Sequence, residues 1–504
     1  MNKRMHKQIF YPVMLCVLFG CAEPIAQEKP SITQPNVLLI VIDTLRADYL
    51  SPYGAPKQIA PFLHEWSKES VIFTRHYTTS SWTRPGFATL LTGLYPSEAG
   101  IYEERFDRLP SEIETLPEIL SSNGYYTFAI NSNPNIDPYF GFDQGFVHFG
   151  EAGTQFSWMN QNSAKLEKSF IPADKLTELS LQHMEKLSSK PWFGMLVYID
   201  PHMPYDPPAE DKEAVRGVST TYHPEYAAEV HHADRQISSL LKTLQKNKKL
   251  ENTLVLITAD HGEGLWSHPS VPDSFGHGTY LYDSSNHVPL LVWHPSLKPR
   301  VLDDVTSSIS IANTILDWTI AKSSTQSDRP SLRTLIETGE QVGIPTVAFS
   351  QTHWKKMNKR SVRSAKGRYI YSQDAHDFQK ENIVEGGLPS RALGTLEGPI
   401  EELYKTITCA ESLRLCWQGY REEWSANRIG FPDEEKLHIQ LAHWHEKTKQ
   451  RSPIQHDPED GHTIFRKKGK ILSVIEFVPE NHSGSISPLS DDMKKQLEQL
   501  GYLE

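Results

Sequence analysis

The stretch NVLLIVID at residues 36–43 decides the fold, because it is an unbroken apolar run, rich in β-branched residues, that ends in a carboxylate. A strand buried on both faces of a parallel sheet has this pattern, without polar alternation. The pattern recurs from Trp192 to Asp200 and from Thr253 to Asp260. Three such strands predict that an α/β sheet forms the core of the protein.

Helical patterns separate these strands. The segment from Tyr226 to Lys246 repeats apolar residues at 3.6-residue spacing, which is typical of a helix with one buried face. A second helical pattern covers Ile113 to Ser121 and precedes a strand pattern at Tyr126 to Ile130. Alternating helices and buried strands predict a mainly parallel sheet with helices on both faces.

Three acidic residues follow the predicted central strands directly: Asp43, Asp200 and Asp260. Open α/β sheets bind their ligands beyond the carboxyl ends of the strands. We therefore expect these carboxylates to lie near one another.

The segment SSWTRPGFATLLTGLYP at residues 80–96 predicts a helix, with Pro85 just inside its start and Gly93 just after its end. Thr83 then lies at the helix N-terminus, where free N–H groups and the helix dipole favour an anion. A hydroxyl there could attack a phosphoryl or sulfuryl group. Alternatively, Thr83 is only the N-cap of the helix.

Histidines and carboxylates form further clusters. Asp260 and His261, together with Asp43, suit a divalent cation, because carboxylates supply charge and imidazole extends the choice to transition metals. His202 lies directly after the second strand pattern. His277 stands between two glycines, close to His268 in sequence.

The order of these segments resembles the N-terminal domain of sulfatases, within the sulfatase-like branch of the alkaline phosphatase superfamily. The resemblance is dense up to about residue 300 and weaker beyond. It rests on these motifs: NVLLIVIDTLRADYLSPYG at 36–54, LLTGLYP at 90–96, DHGE at 260–263, GHGTYLY at 276–282 and ELY at 402–404. It implies an alkaline-phosphatase-like catalytic domain over residues 36–325 and a smaller C-terminal α+β domain over residues 346–504.

The resemblance also implies a role for each site residue. Thr83 would be the nucleophile, and His202 and His277 would contact the anionic oxygens of the substrate or protonate the leaving group. Arg46 could contact the substrate, although a surface position suits it equally. Four residues would bind a divalent cation, which could be Ca, Mg, Mn or Zn: Asp43, Thr83, Asp260 and His261.

Two departures from the sulfatase pattern change the expected chemistry. In sulfatases the Cys or Ser of the motif Cys/Ser-x-Pro-x-Arg is oxidised to formylglycine, whereas this chain has Thr83 at the first position and Phe87 at the last. Threonine cannot yield that aldehyde, so no formylglycine is expected. Thr44 stands where many sulfatases have a second metal-binding Asp.

These features predict a metal-dependent hydrolase of phosphate mono- or diesters that forms a covalent intermediate on Thr83. The near-neutral pKa that histidine ordinarily has would suit His202 and His277 to proton transfer. Three alternatives stay open: a sulfate ester hydrolase, a transferase that moves a phospho-group onto envelope glycans or lipids, and a non-catalytic envelope binding protein. The substrate would be a small-molecule, glycan or lipid anionic ester.

The N-terminus predicts export. Lys3, Arg4 and Lys7 precede an apolar stretch too short to span a bilayer, and Leu-Phe-Gly-Cys at residues 18–21 resembles a bacterial lipobox. Residues 1–20 would be a lipoprotein signal peptide, and residues 21–35 a linker from lipidated Cys21. We expect an envelope location, with Ala22 favouring the outer membrane of a two-membrane bacterium.

Charge and cysteine content bound the remaining possibilities. The formal net charge of −11 argues against nucleic-acid binding, which requires basic patches. Cys409 and Cys416 would share an oxidising compartment. On one straight helix they would be about 10 Å apart, so a disulfide between them requires a bend or loop.

Overall fold

The computed structural model describes the protein over several separate ranges. Cys21, His268, Cys409 and Cys416 lie outside them, so lipidation, the disulfide and any role of His268 stay predictions. The described residues are 34–101, 107–150, 171–187, 189–265, 267, 275–320, 330–344, 347–354, 357–364, 367–372, 456–457, 462–467 and 470–475.

An eight-stranded sheet forms the core. Its strands are β1 Asn36–Ile42, β2 Val71–Tyr77, β3 Tyr126–Asn131, β4 His148–Gly150, β5 Trp192–Tyr198, β6 Thr253–Thr258, β7 Leu290–Trp293 and β8 Arg300–Ser307. They are ordered β4-β3-β5-β1-β6-β7-β2-β8. Only the pairs made by β7 are antiparallel within this sheet, so the predicted mainly parallel sheet is confirmed.

Helices flank this sheet, which confirms the predicted α/β class. The helix predicted from Ile113 starts only after Thr115, because Thr115 and Glu118 form a capping box at that point. The helices are α1 Pro61–Ser67, α2 Thr83–Thr92, α3 Leu116–Ser122, α4 Ala173–Glu185, α5 Ala209–Ala214, α6 Pro224–Lys246, α7 Asp283–Asn286, α8 Ile311–Thr319 and α9 Arg333–Thr338. Within the described residues, no helix combines the length and apolar character that crossing a membrane requires.

The register of the central strands determines where the site forms. Strand β1 pairs in parallel with β5 on one side and β6 on the other, so that Ile42 lies beside Tyr198 and Val41 beside Thr258. The strands therefore end at the same level. Asp43 and Asp260 follow adjacent strands at one edge of the sheet.

Beyond the main sheet, the described strands form two small antiparallel sheets. Strand β9 runs along the segment that leads into α2, where Gln351 N donates to Thr79 O at 2.8 Å and Ser350 Oγ donates to Thr78 O at 2.6 Å. Strand β9 therefore lies against the segment that leads into α2. The predicted boundary between domains stays a prediction. The strands are β9 Val347–Trp354, β10 Met357–Ser364, β11 Gly367–Ser372, β12 His456–Asp457, β13 His462–Lys467 and β14 Lys470–Ile475.

The packing of the sheet can be tested at Gly194. A Cβ atom at this position in β5 would overlap the ring of Phe128 on the neighbouring strand β3. We expect Gly194→Ala to lower the free energy of unfolding by about 1–3 kcal/mol, the usual cost of overpacking a core. Chemical denaturation would measure the loss. The double variant Gly194→Ala/Phe128→Leu should recover part of it, and a double variant no more stable than the single one would contradict this account.

Candidate active site

Thr83 is the first residue of α2. The N-cap is Trp82, with extended backbone angles φ −152° and ψ 165° and no side-chain capping bond. The alternative that Thr83 is merely the N-cap is therefore wrong. Thr83 Oγ1 lies 3.2 Å from His261 Nε2, and both side chains are fully buried.

A glycine brings α2 close to the segment after β6 that carries Asp260. A Cβ atom on Gly86, in the first turn of α2, would lie 2.8 Å from the backbone oxygen of Asp260. Any larger residue would push the helix, and with it Thr83, away from β6. At the other end, Gly93 terminates α2 with a left-handed φ of 66°, as its position in the sequence predicts.

Three of the predicted metal ligands, Asp43, Asp260 and His261, form one buried cluster, called the metal group below. Asp43, Asp260 and His261 each offer a ligand atom within 4.8 Å of the others. Asp43 Oδ1 and Asp260 Oδ2 lie 3.7 Å and 3.5 Å from His261 Nε2. Neither carboxylate oxygen has a hydrogen-bond partner anywhere in the described structure. Buried carboxylate oxygens that converge without donors fit a divalent cation.

The remaining atoms of these ligands are held by the surrounding protein. Asp43 Oδ2 accepts a hydrogen bond from Asn133 Nδ2. Asp260 Oδ1 accepts from the backbone N–H groups of His261 at 2.9 Å and Thr44 at 3.3 Å. His261 Nδ1 donates to Gly262 O at 2.8 Å, which leaves the lone pair on Nε2 facing the group. Such outer bonds orient metal ligands.

Burial dominates the electrostatics of the site. It raises the pKa of Asp260 to about 7 and raises the pKa of Asp43, which the neighbouring Asp260 charge raises further. Burial lowers the pKa of the His261 imidazole. A bound cation would oppose these shifts, because it favours the ionised carboxylates and the neutral imidazole.

The two histidines predicted to act on the substrate adjoin this group. The His277 ring centre lies 4.5 Å from that of His261 and 4.9 Å from that of His202. His277 Nδ1 is 3.2 Å from both carboxylate oxygens of buried Glu263, and His202 Nδ1 is 2.5 Å from Met203 O. Burial lowers the pKa of His202 to about 3. The expectation of a near-neutral pKa for His202 is therefore wrong.

Arg46 is not a surface residue, since only 7% of it is exposed. Its Nε and Nη2 atoms donate to Asp48 at 2.9 and 2.7 Å, and Nη1 donates to the backbone oxygens of Glu263 and Gly264 and to Ser267 Oγ. The guanidinium thus anchors the loop that follows His261. Direct contact between Arg46 and the substrate stays a prediction.

Two residues of this site were missed by sequence reasoning. Asn133 holds Asp43. The sequence pattern that could have revealed Asn133 is the polar run after β3, because this strand ends on the same side of the sheet as β1 and β6. Glu263 holds His277, and it stands inside the DHGE motif without a role assigned to it. Asp200 was expected beside Asp43 and Asp260, but it is not a member of the three-residue group.

The raised pKa of Asp260 predicts an effect on stability when metal is removed. The folded metal-free protein keeps a proton that the unfolded chain releases, so this group loses its stabilising effect as pH rises from 3.8 to about 7. Asp260→Asn cannot titrate. In EDTA its melting temperature should therefore rise relative to that of the wild type across this window, and saturating divalent cation should reverse the order. A difference that does not vary with pH would contradict the assignment.

Comparison with known proteins identifies the family. Residues 35–321, more than half of the chain, match the Sulfatase family. The uncharacterized sulfatase YdeN of Escherichia coli (strain K12) is 26% identical over 320 residues, which cover 55% of this chain and 56% of that protein. The match thus spans about half the length of this curated relative.

Solved structures share the fold. The phosphonate monoester hydrolase of Agrobacterium radiobacter superposes with a TM-score of 0.56 and 20% identity, covering 82% of this chain and 96% of that one. Ps i-CgsB, solved in complex with k-i-k-neocarrahexaose, superposes with a TM-score of 0.56 and 19% identity, covering 81% of this chain and 100% of that one. The motifs, the sheet and the family match agree, and the chain belongs to the sulfatase family.

Proposed function

We propose that this protein is a metal-dependent hydrolase of anionic esters with Thr83 as its nucleophile. One observation carries the proposal: Thr83 Oγ1 lies 3.2 Å from His261 Nε2, in a buried group where Asp43 and Asp260 each present an unpartnered carboxylate oxygen in the described structure. Membership of the sulfatase family supports the reaction class.

In the proposed reaction each residue of the site has its own role. Asp43, Asp260, His261 and Thr83 would hold a divalent cation, which supplies positive charge that lowers the pKa of the attacking hydroxyl and offsets charge on the transferred group. Thr83, at the start of α2, is placed to attack the phosphorus or sulfur of a substrate held at the helix N-terminus. Glu263 and Met203 O fix the ring orientations of His277 and His202, which suits these histidines to contact the substrate.

Phosphate mono- or diesters are the substrates that best fit the nucleophile. Attack by Thr83, which gives up its hydroxyl proton, forms a covalent phosphate ester and releases the leaving group as the protonated alcohol. Water then attacks phosphorus, which releases phosphate or a phosphate monoester and restores the threonine hydroxyl. A formylglycine hydrate can instead expel sulfate by collapse to the aldehyde, a route that threonine lacks. The chemistry of Thr83 therefore favours the phosphoryl group.

Sulfate ester hydrolysis is the second candidate, and the family match favours it. The likeness to Ps i-CgsB, which was solved with a bound neocarrahexaose, makes glycan esters a substrate class to test, both as phosphate esters and as sulfate esters. Transfer of a phospho-group to an acceptor would use the same Thr83 intermediate. Product analysis with an added alcohol acceptor separates transfer from hydrolysis.

Thr83→Ala is the direct test of the nucleophile. We expect it to lower kcat/KM by roughly 10³-fold or more, because it removes the hydroxyl that lies 3.2 Å from His261 Nε2. Thr83→Ser keeps the hydroxyl and is the matched control, which should retain measurable activity. Aryl phosphate, aryl phosphodiester and aryl sulfate assayed side by side would rank the substrates. Full activity in Thr83→Ala would refute the proposal, and preference for aryl sulfate would favour the second candidate.

We also propose that the protein is exported and anchored in the cell envelope through lipidated Cys21. The lipobox-like residues 18–21 support this. Cys21→Ser should move the protein from the membrane fraction to a soluble fraction, as measured by fractionation and immunoblotting in a bacterial host. Unchanged membrane association of the variant would count against the anchor.

A further inference from the structure

The side chain of Asn135 is a buried amide that the protein itself does not use. Asn135 is 0% exposed, and neither its Nδ2 nor its Oδ1 has a hydrogen-bond partner among the described residues. A buried amide without partners costs free energy, because folding removes it from water and gives nothing in return. Native proteins rarely keep such a group unless a ligand, an ion or an ordered water satisfies it.

Hydrogen bonds place Asn135 next to the metal group. It lies in a 3₁₀ turn, Pro134–Ile136, that follows β3. Its backbone N–H donates to Asn133 Oδ1 at 2.8 Å, and Asn133 Nδ2 donates to Asp43 Oδ2. One amide side chain thus separates the backbone of Asn135 from a metal ligand.

The same turn packs against α2, the helix that begins with Thr83. Because Asn135 is fully buried, its side chain faces the interior of the protein, and the turn borders both the metal group and the nucleophile helix. In the proposed reaction the transferred group of the substrate would sit beside Thr83 and the three metal ligands, and therefore next to this turn.

The turn does not need the Asn135 side chain for its own shape. Asn131 Nδ2 donates to Asn133 O at 2.8 Å, and Asn131 Oδ1 accepts from Asn133 N at 2.8 Å. These bonds, with the bond from Asn135 N to Asn133 Oδ1, hold the loop through other atoms. A purely structural role leaves the amide of Asn135 unexplained.

We propose that Asn135 Nδ2 donates a hydrogen bond to an anionic oxygen of the phosphoryl or sulfuryl group that Thr83 attacks. This inference rests on the proposed function and names a further substrate-binding residue of that site. An amide held in place before the substrate arrives stabilises charge on the transferred group without reorganisation. It adds a donor without adding positive charge to a site that already requires a cation.

The test compares Asn135→Ala and Asn135→Leu with Asn131→Ala, a matched variant that removes a paired amide from the same loop. Orthovanadate would probe the anion site of the metal-loaded protein by calorimetry, and thermal unfolding would report stability. We expect the Asn135 variants to bind orthovanadate about 10–100-fold more weakly, with melting temperatures equal to or above that of the wild type. Asn131→Ala should lower the melting temperature, because it breaks two hydrogen bonds.

Several results would overturn the inference. These are orthovanadate affinity within twofold of the wild type in both Asn135 variants, no orthovanadate binding by the wild type, or a loss of melting temperature like that of Asn131→Ala. Loss of bound metal in the Asn135 variants would overturn it in favour of Oδ1 as a metal ligand. The binding assay needs no turnover. If no ester is hydrolysed but the Asn135 variants still lose orthovanadate binding, the proposed function fails, and Asn135 remains an anion-binding residue without a role in turnover.

Discussion

The structure depends on two carboxylates, those of Asp43 and Asp260, buried side by side at the ends of adjacent strands. Burial disfavours the ionised form of both, and the charge of Asp260 adds repulsion at Asp43, so the pKa of each is raised. The protein satisfies one oxygen of each, through Asn133 for Asp43 and through two backbone N–H groups for Asp260. The other oxygens point toward His261, and a divalent cation there would neutralise the pair.

The elements around this pair are arranged to bring a hydroxyl to it. Gly86 lets α2 approach the backbone of Asp260, and this approach places Thr83 at the metal group. From the C-terminal part of the chain, β9 covers the segment before α2. Thr352 Oγ1 donates to Gly278 O, and the Trp354 ring lies where a Cβ atom of Gly278 would be. The start of α2 is thus held from both sides, so Thr83, the proposed nucleophile, is positioned by packing as well as by its helix.

The loop after His261 connects His277 to Arg46 through Glu263. Arg46 donates to the backbone of Glu263 and Gly264, and Glu263 in turn holds His277. These hydrogen bonds explain why Arg46 is buried, although the sequence had allowed a surface position for it. Burial lowers the pKa of His202, whose ring centre lies 4.9 Å from that of His277. At neutral pH His202 can therefore accept or donate hydrogen bonds as a neutral ring.

Local chemistry determined much of this protein from the sequence alone. The apolar runs predicted β1, β5 and β6, the 3.6-residue spacing predicted α6, and strand-end carboxylates with the Thr83 segment predicted the metal group and nucleophile. These features can be predicted from the sequence because buried strands, helix periodicity and helix starts each depend on residues close together in the chain. Only the tertiary structure decided that Asn133 holds Asp43, that Glu263 holds His277 and that Asn135 is a buried amide without a partner. Each of those facts depends on segments far apart in sequence, and on the water that their packing excludes.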